Sequence, residues 1–231
     1  MRKINKNCAL SSEYKNWEEH LTIPHPKYTS SNHRFYNDIR MQLYRCQGGL
    51  CAYTEVRLCP EEYFVAENWS DGKFTAKIPN QNLKGQLDHF DANLKSKKSD
   101  TVGRQDWLWD NFFMVESDTN TKAKNDLPVD EILKPDRDDY DPFQLLEYDN
   151  ELHVFKANSE LDNETQNKIN ETINNLGINT VWFKRRDYIK DKVRPVSLEE
   201  VSFDDIEVTE FPTAFKMYKN NVGGKAIDSI L

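Results

Sequence analysis

A chain of 231 residues with 37% hydrophobic side chains, among them 12 Phe, 10 Tyr and 5 Trp, holds enough apolar surface for an aromatic core, which excludes wholesale disorder. Its formal net charge of -8, from 31 Lys and Arg against 39 Asp and Glu, excludes a free-standing binder that grips nucleic acid by overall charge, so a partner would have to supply that surface. No apolar stretch approaches the roughly 20 residues of a membrane span, and the start MRKINKNCAL lacks the apolar core of a secretory signal, so a cytoplasmic protein with no membrane contact is expected.

Tyr36, Ile39, Leu43 and Tyr44 fall at i, i+3, i+7 and i+8, which predicts an amphipathic helix over residues 36–47, ended by Gly48-Gly49. Leu50 to Val56 then reads as a turn into a short strand or knuckle. The thiols Cys8, Cys46, Cys51 and Cys59 are expected to be reduced, and they form no CxxC pair that would begin a zinc site. Trp69-Ser70-Asp71-Gly72-Lys73-Phe74 predicts a turn between two extended pieces, and the polar stretch 91–103 a surface loop.

Phe112 to Val115 predicts a strand, and Asp118 an N-cap whose carboxylate accepts the first-turn N–H groups of a helix over 119–125. Asp136 to Asp141 reads as a solvated acidic turn rather than a calcium loop, since it lacks the Gly and terminal Glu of EF-hand spacing. Residues 145–155 predict a hairpin around Asp149-Asn150. Ile169, Ile173 and Leu176 predict a helix closed by Gly177. A second helix is expected over 178–195. Its Lys184, Arg185, Arg186, Lys190, Lys192 and Arg194 read as a solvated face or, alternatively, as contacts to DNA phosphates. From Phe211 onward the chain is expected to fray.

Hydrolysing a phosphodiester with one metal needs an oxygen-ligated cation, a base for water and a group that holds the base in place. Asp88 directly precedes His89, so on an extended strand end their side chains project to opposite sides. Asn111 opens the Phe112 strand, and Asn120 follows nine positions later on the first helical turn. Each also has a plainer reading: Asn111 as a turn former, Asn120 as a local cap, His89 as a satisfied core histidine. His20, His25, His33 and His153 have no partner spacing and take no role.

The ordered set of acidic residue plus His, then Asn, then Asn resembles the HNH (His-Me finger) endonuclease family. The resemblance implies an α+β fold with a ββα-metal core, His89 as general base, Asp88 and Asn120 as metal ligands, and Asn111 as the residue that fixes the loop. Further matches run in order through the chain. They are Gln47-Gly48-Gly49 before Cys51-Ala52-Tyr53, then Leu87-Asp88-His89-Phe90, Trp109-Asp110-Asn111, Asn120-Thr121-Lys122, and Leu133-Lys134-Pro135 with Asp138-Asp139. Together with the MRKINK start they resemble a bacterial HNH family that includes the nuclease subunit of Septu-type anti-phage systems.

Two departures change the expected chemistry. Where such proteins carry four zinc-binding cysteines, this chain has Cys51, Thr54, Glu116 and Thr119, so no structural zinc is expected and the knuckle should be held by packing of Tyr53 and Phe113. An amide at Asn120 in place of imidazole makes the site harder, which suits Mg²⁺ or Mn²⁺. Lys122 reads equally as a phosphate contact or a solvated helix lysine.

The expected organisation is an N-terminal helical region with a degenerate knuckle (1–84), the ββα core (85–127) and a C-terminal hairpin and helical extension (128–231). The resemblance implies a metal-dependent DNA endonuclease working beside an ATPase partner in anti-phage defence. Its alternatives are a degenerate module that only scaffolds such a complex, and a nuclease directed at RNA, since nothing here reads a 2′-OH.

Overall fold

The structure is a computed structural model and describes residues 1–7, 10–28, 33–77, 83–94, 104–198 and 200–222. Helix α1 (Ser12–Glu19) starts where the Ser11 hydroxyl accepts the Tyr14 N–H, and it buries Tyr14. Helix α2 (Tyr36–Cys46) turns Ile39, Leu43 and Tyr44 inward, as its spacing predicts, whereas Tyr36 is half-buried and Met41 and Gln42 are buried in addition. It ends at Gln47, followed by Gly48 and Gly49 at φ of 54° and 73°. Glycine is required at 49, because a Cβ there would lie 2.3 Å from the Cys59 carbonyl oxygen.

Strands β1 (Trp69–Ser70) and β2 (Lys73–Phe74) pair across Asp71-Gly72, both at positive φ, the conformation of a tight hairpin turn. Strands β3 (Gln86–His89) and β4 (Phe112–Val115) are antiparallel, with Asp88 opposite Phe113 and His89 opposite Phe112. All four β4 side chains are buried, which accounts for the unbroken apolar run. Of the loop expected over 91–103, Ala92–Leu94 forms a single 3₁₀ turn, and 95–103 lie outside the described residues.

A wide helical segment, Thr119–Lys124, follows β4 and closes with Asn125 N–H on the Asn120 carbonyl at 2.8 Å. The expected Asp118 cap does not form. Asp118 is itself helical (φ -64°, ψ -38°) and makes no capping bond. Its carboxylate instead pairs with Lys122 at 3.0 Å on the surface.

The chain then makes α3 (Pro142–Leu145), a single turn capped by Asp141, and the expected hairpin of β5 (Leu146–Asp149) and β6 (Val154–Ala157). Helix α4 (Asn163–Asn175) is capped by Asp162 and ends at Gly177, φ 64°. A Cβ on Gly177 would lie 2.4 Å from the Ala123 methyl, so the end of α4 abuts the Thr119–Lys124 segment. Helix α5 (Trp182–Ser197) starts later than expected, after a turn that buries Ile178 and Val181. Beyond Phe211 the chain does not fray: helix α6 (Pro212–Val222) buries Ala214, Phe215, Tyr218 and Val222, an i, i+1, i+4, i+8 stripe that reaches the core. Residues 223–231 lie outside the described residues.

The fold is α+β: small antiparallel strand pairs and helices around one hydrophobic cluster that draws on all three expected regions. Among the described residues no helix is long and apolar enough to cross a membrane. Three expectations are corrected. Cys46 is disulfide-bonded rather than reduced, whereas Cys51 and Cys59 are free thiols. Asp136 is not solvated: its side chain is buried against Lys6, at 2.9 Å. Lys6 also lies 3.7 Å from the Phe113 ring centroid, and burial pushes its pKa down to about 8. Arg185 is fully buried rather than on a solvated face. Its guanidinium donates to the His153 and Ile178 carbonyls and lies over Phe155.

The two ends of the described chain meet at Glu55, a buried residue with φ 64°. Its carboxylate accepts the Thr213 N–H (3.0 Å) and hydroxyl (2.5 Å) and faces the Met1 ammonium at 3.5 Å. Burial pushes this carboxyl up, but the Met1 ammonium, Thr213 and Arg185 outweigh it and hold the pKa below its ordinary value.

His153 is buried beside the β5–β6 hairpin. Its Nδ1 lies 2.8 Å from the Tyr148 hydroxyl, and burial together with Lys190, Arg185 and Arg186 lowers its pKa to about 4. The folded state therefore binds fewer protons than the unfolded chain between pH 4 and the ordinary value of about 6.5, so stability falls as pH drops through that window. Thermal melts from pH 7 to 4 should show this decline. His153→Asn, which tolerates the positive φ of 56°, should flatten it, and an unchanged slope would remove His153 as the cause.

Candidate active site

The pairing of β3 with β4 fixes the backbone that presents Asp88 and His89. Both side chains are buried, yet both line one polar cavity of about 210 Å³ together with Leu87, Ala92, Asn120, Thr121, Asn125 and Asp126. Of the expected site residues, the structure thus brings Asp88, His89 and Asn120 to a single cavity. Lys122 does not line it and pairs with Asp118 instead.

The His89 imidazole has a defined protonation pattern. Its Nε2 is 2.9 Å from the Asp106 carbonyl oxygen, which can only accept, so Nε2 carries the proton and Nδ1 is the basic nitrogen of the neutral ring. Edge contacts from Tyr28 (5.0 Å between centroids) and Phe112 (4.8 Å) hold the ring plane. Asp106, itself buried, accepts the Tyr28 N–H at 2.6 Å, so one residue positions both the imidazole and its aromatic neighbour. Asp106 and Tyr28 have no signal in the sequence, because each reaches His89 only through the folded loop.

Asn111 brackets the turn after β3. Its Nδ2 donates to the Asp91 carbonyl at 3.0 Å, its Oδ1 accepts the Asp91 N–H at 2.8 Å, and its own carbonyl accepts the Phe90 N–H at 2.8 Å. Three bonds tie the residues after His89 to the residue before β4.

Asp88 has partners that the sequence reading did not name. The Tyr53 hydroxyl donates to Oδ2 at 2.6 Å, and the Lys124 ammonium lies 3.2 Å from both carboxylate oxygens. Lys124 is fully buried and also donates to the His89 carbonyl at 2.6 Å. At an effective dielectric near 20 the attraction in such a pair is about 5 kcal/mol, largely offset by desolvation, and leaving either charge alone costs about 3–5 kcal/mol. Lys124 follows Asn120 by four residues, the one spacing in the sequence that could have placed it near the same carboxylate.

Around the knuckle, Cys51 Sγ accepts the N–H groups of Thr54 (3.5 Å) and Glu116 (3.3 Å), so Cys51, Thr54 and Glu116 meet from two chain segments. Glu116 sends its carboxylate to Lys184, and the Thr119 hydroxyl is buried with no hydrogen-bond partner among the described residues. Tyr53 packs against Phe90 and Phe113, with centroids 6.4 and 6.1 Å apart.

Asp88 and Asn120 are hard oxygen donors on one cavity wall. Among the described residues no three His, Cys, Asp or Glu side chains gather as a metal cluster. Two oxygen donors, Asp88 and Asn120, are the kind of partial ligand set that Mg²⁺ completes with water and phosphate oxygens.

Removing the Asn111 bracket should be costly, because it strands two backbone groups of Asp91. Asn111→Ala is expected to lower unfolding stability by about 2–3 kcal/mol in urea titrations, and a change below about 0.5 kcal/mol would show that the bracket is dispensable. Comparison with known proteins adds no assignment: no family model matches the chain, and no curated protein sequence matches it.

Proposed function

We propose that the chain is a metal-dependent DNA endonuclease of HNH type, with β3, β4 and the Thr119–Lys124 segment as its ββα-metal core. It would act in the cytoplasm as the effector of an anti-phage complex, beside an ATPase partner whose surface supplies the positive charge that a chain of net charge -8 lacks. The observation that carries the reading is an imidazole whose tautomer is set by the Asp106 carbonyl and which shares one cavity with Asp88 and Asn120.

In this reading His89 Nδ1 takes a proton from the attacking water, and the Asp106 carbonyl stabilises the imidazolium through Nε2–H. Asn111 keeps the residues after His89 from shifting as charge develops. Asp88 and Asn120 would hold a Mg²⁺ or Mn²⁺ ion, which when bound supplies Lewis-acid stabilisation of the phosphate and leaving oxygen. Tyr53 orients the Asp88 carboxylate.

A second reading, a catalytically degenerate scaffold in the same kind of complex, draws on the Lys124 ammonium that already balances Asp88. Nicking of supercoiled plasmid in Mn²⁺, with an RNA of matched length competing, separates the two. His89→Ala is expected to lower the rate by about 10²–10⁴-fold. Equal rates for wild type and variant, with and without a partner, would leave the scaffold.

A further inference from the structure

We infer that Lys124 is a resident counter-ion for Asp88, so that the ammonium and a divalent metal are alternative occupants of one carboxylate. The inference rests on the reading of Asp88 as the metal-facing carboxylate, and it concerns what must leave before an ion can bind.

The ammonium of Lys124 is held between two residues: it donates to Asp88 Oδ1 at 3.2 Å and to the His89 carbonyl at 2.6 Å, and it lies 3.2 Å from Asp88 Oδ2 as an ion pair. The side chain is fully buried, whereas the neighbouring Lys122 is exposed and pairs outward with Asp118. Lys124 therefore serves the carboxylate rather than solvent or a passing phosphate. The Tyr53 hydroxyl, which also donates to Asp88, brings no charge that an added cation would meet. An ion bound directly to Asp88 would share it with a positive charge 3.2 Å from both oxygens, in a site that water screens poorly. Cation and ammonium are thus in competition.

The backbone at Lys124 departs from regular helix. The segment closes with the wide Asn125 to Asn120 bond in place of an ordinary helical turn. Asn125 itself sits at φ 43°, ψ -118°, an unfavourable conformation for a residue with a side chain. Asn125 and Asp126 line the same cavity, so a shift at this turn moves Lys124 and reshapes the site together.

The test is Mn²⁺ binding to the full chain, read as loss of the free-ion signal in electron paramagnetic resonance. Lys124→Met is expected to bind Mn²⁺ about tenfold more tightly than wild type, a gain of about 1.4 kcal/mol, and Asp88→Asn in the Lys124→Met background should abolish it. Equal affinities of wild type and Lys124→Met, including no binding by either, overturn the inference. Lys124→Gln serves if the methionine variant does not fold. A measurement on wild type needs no variant: reductive methylation mapped by mass spectrometry should leave Lys124 unmodified without metal and modify it in saturating Mn²⁺. Equal protection in both conditions overturns the inference. These readouts do not depend on cleavage, so loss of the His89 effect on plasmid nicking would sink the nuclease reading alone, equal and measurable Mn²⁺ affinities would sink the counter-ion alone, and absence of binding by both proteins would sink the counter-ion together with the metal-binding role of Asp88.

Discussion

A carboxylate at the buried end of a strand has to be matched, and in this protein the matching of Asp88 organises everything near it. The Tyr53 hydroxyl reaches it from the knuckle, and the Lys124 ammonium from the segment after β4. Because Lys124 also holds the His89 carbonyl, one buried cation joins both site residues to the helical segment. Three pieces of chain are locked by a single ionised group, and each contributes a bond that water can no longer replace.

The imidazole beside it is positioned by a different logic. Its partners come from the far side of a loop, with Asp106 supplying a carbonyl and Tyr28 an aromatic edge. Asn111 then ties the same loop to the start of β4. A neutral amide that satisfies both backbone groups of Asp91 does this without placing another charge beside Asp88.

The sequence was readable where structure follows local rules. The α2 stripe, the Asp71-Gly72 turn, the β5–β6 hairpin and the Gly177 closure all depend on spacing or on residues that permit positive φ. The co-location of Asp88, His89 and Asn120 was legible through the order of the motif. What escaped was decided by tertiary packing. Arg185 sits among polar neighbours in sequence, yet it is buried because carbonyls of residues 153 and 178 receive it. Helix α6 looked like a tail because its polar residues hid an apolar stripe that only the rest of the core gives a use. Lys124 could be read as one more solvated lysine, since nothing local says that a carboxylate 36 residues earlier in the chain waits for it.

The bond between Glu55 and Thr213 spans 158 residues, and that span bears on what it costs to close the chain. The strand pair, the knuckle and Lys124 lie within about 75 positions of one another, and loop closure over the longer span to α6 is entropically dearer. Placing α6 therefore carries a larger closure cost than pairing β3 with β4, and the burial of Ala214, Phe215, Tyr218 and Val222 is what offsets it.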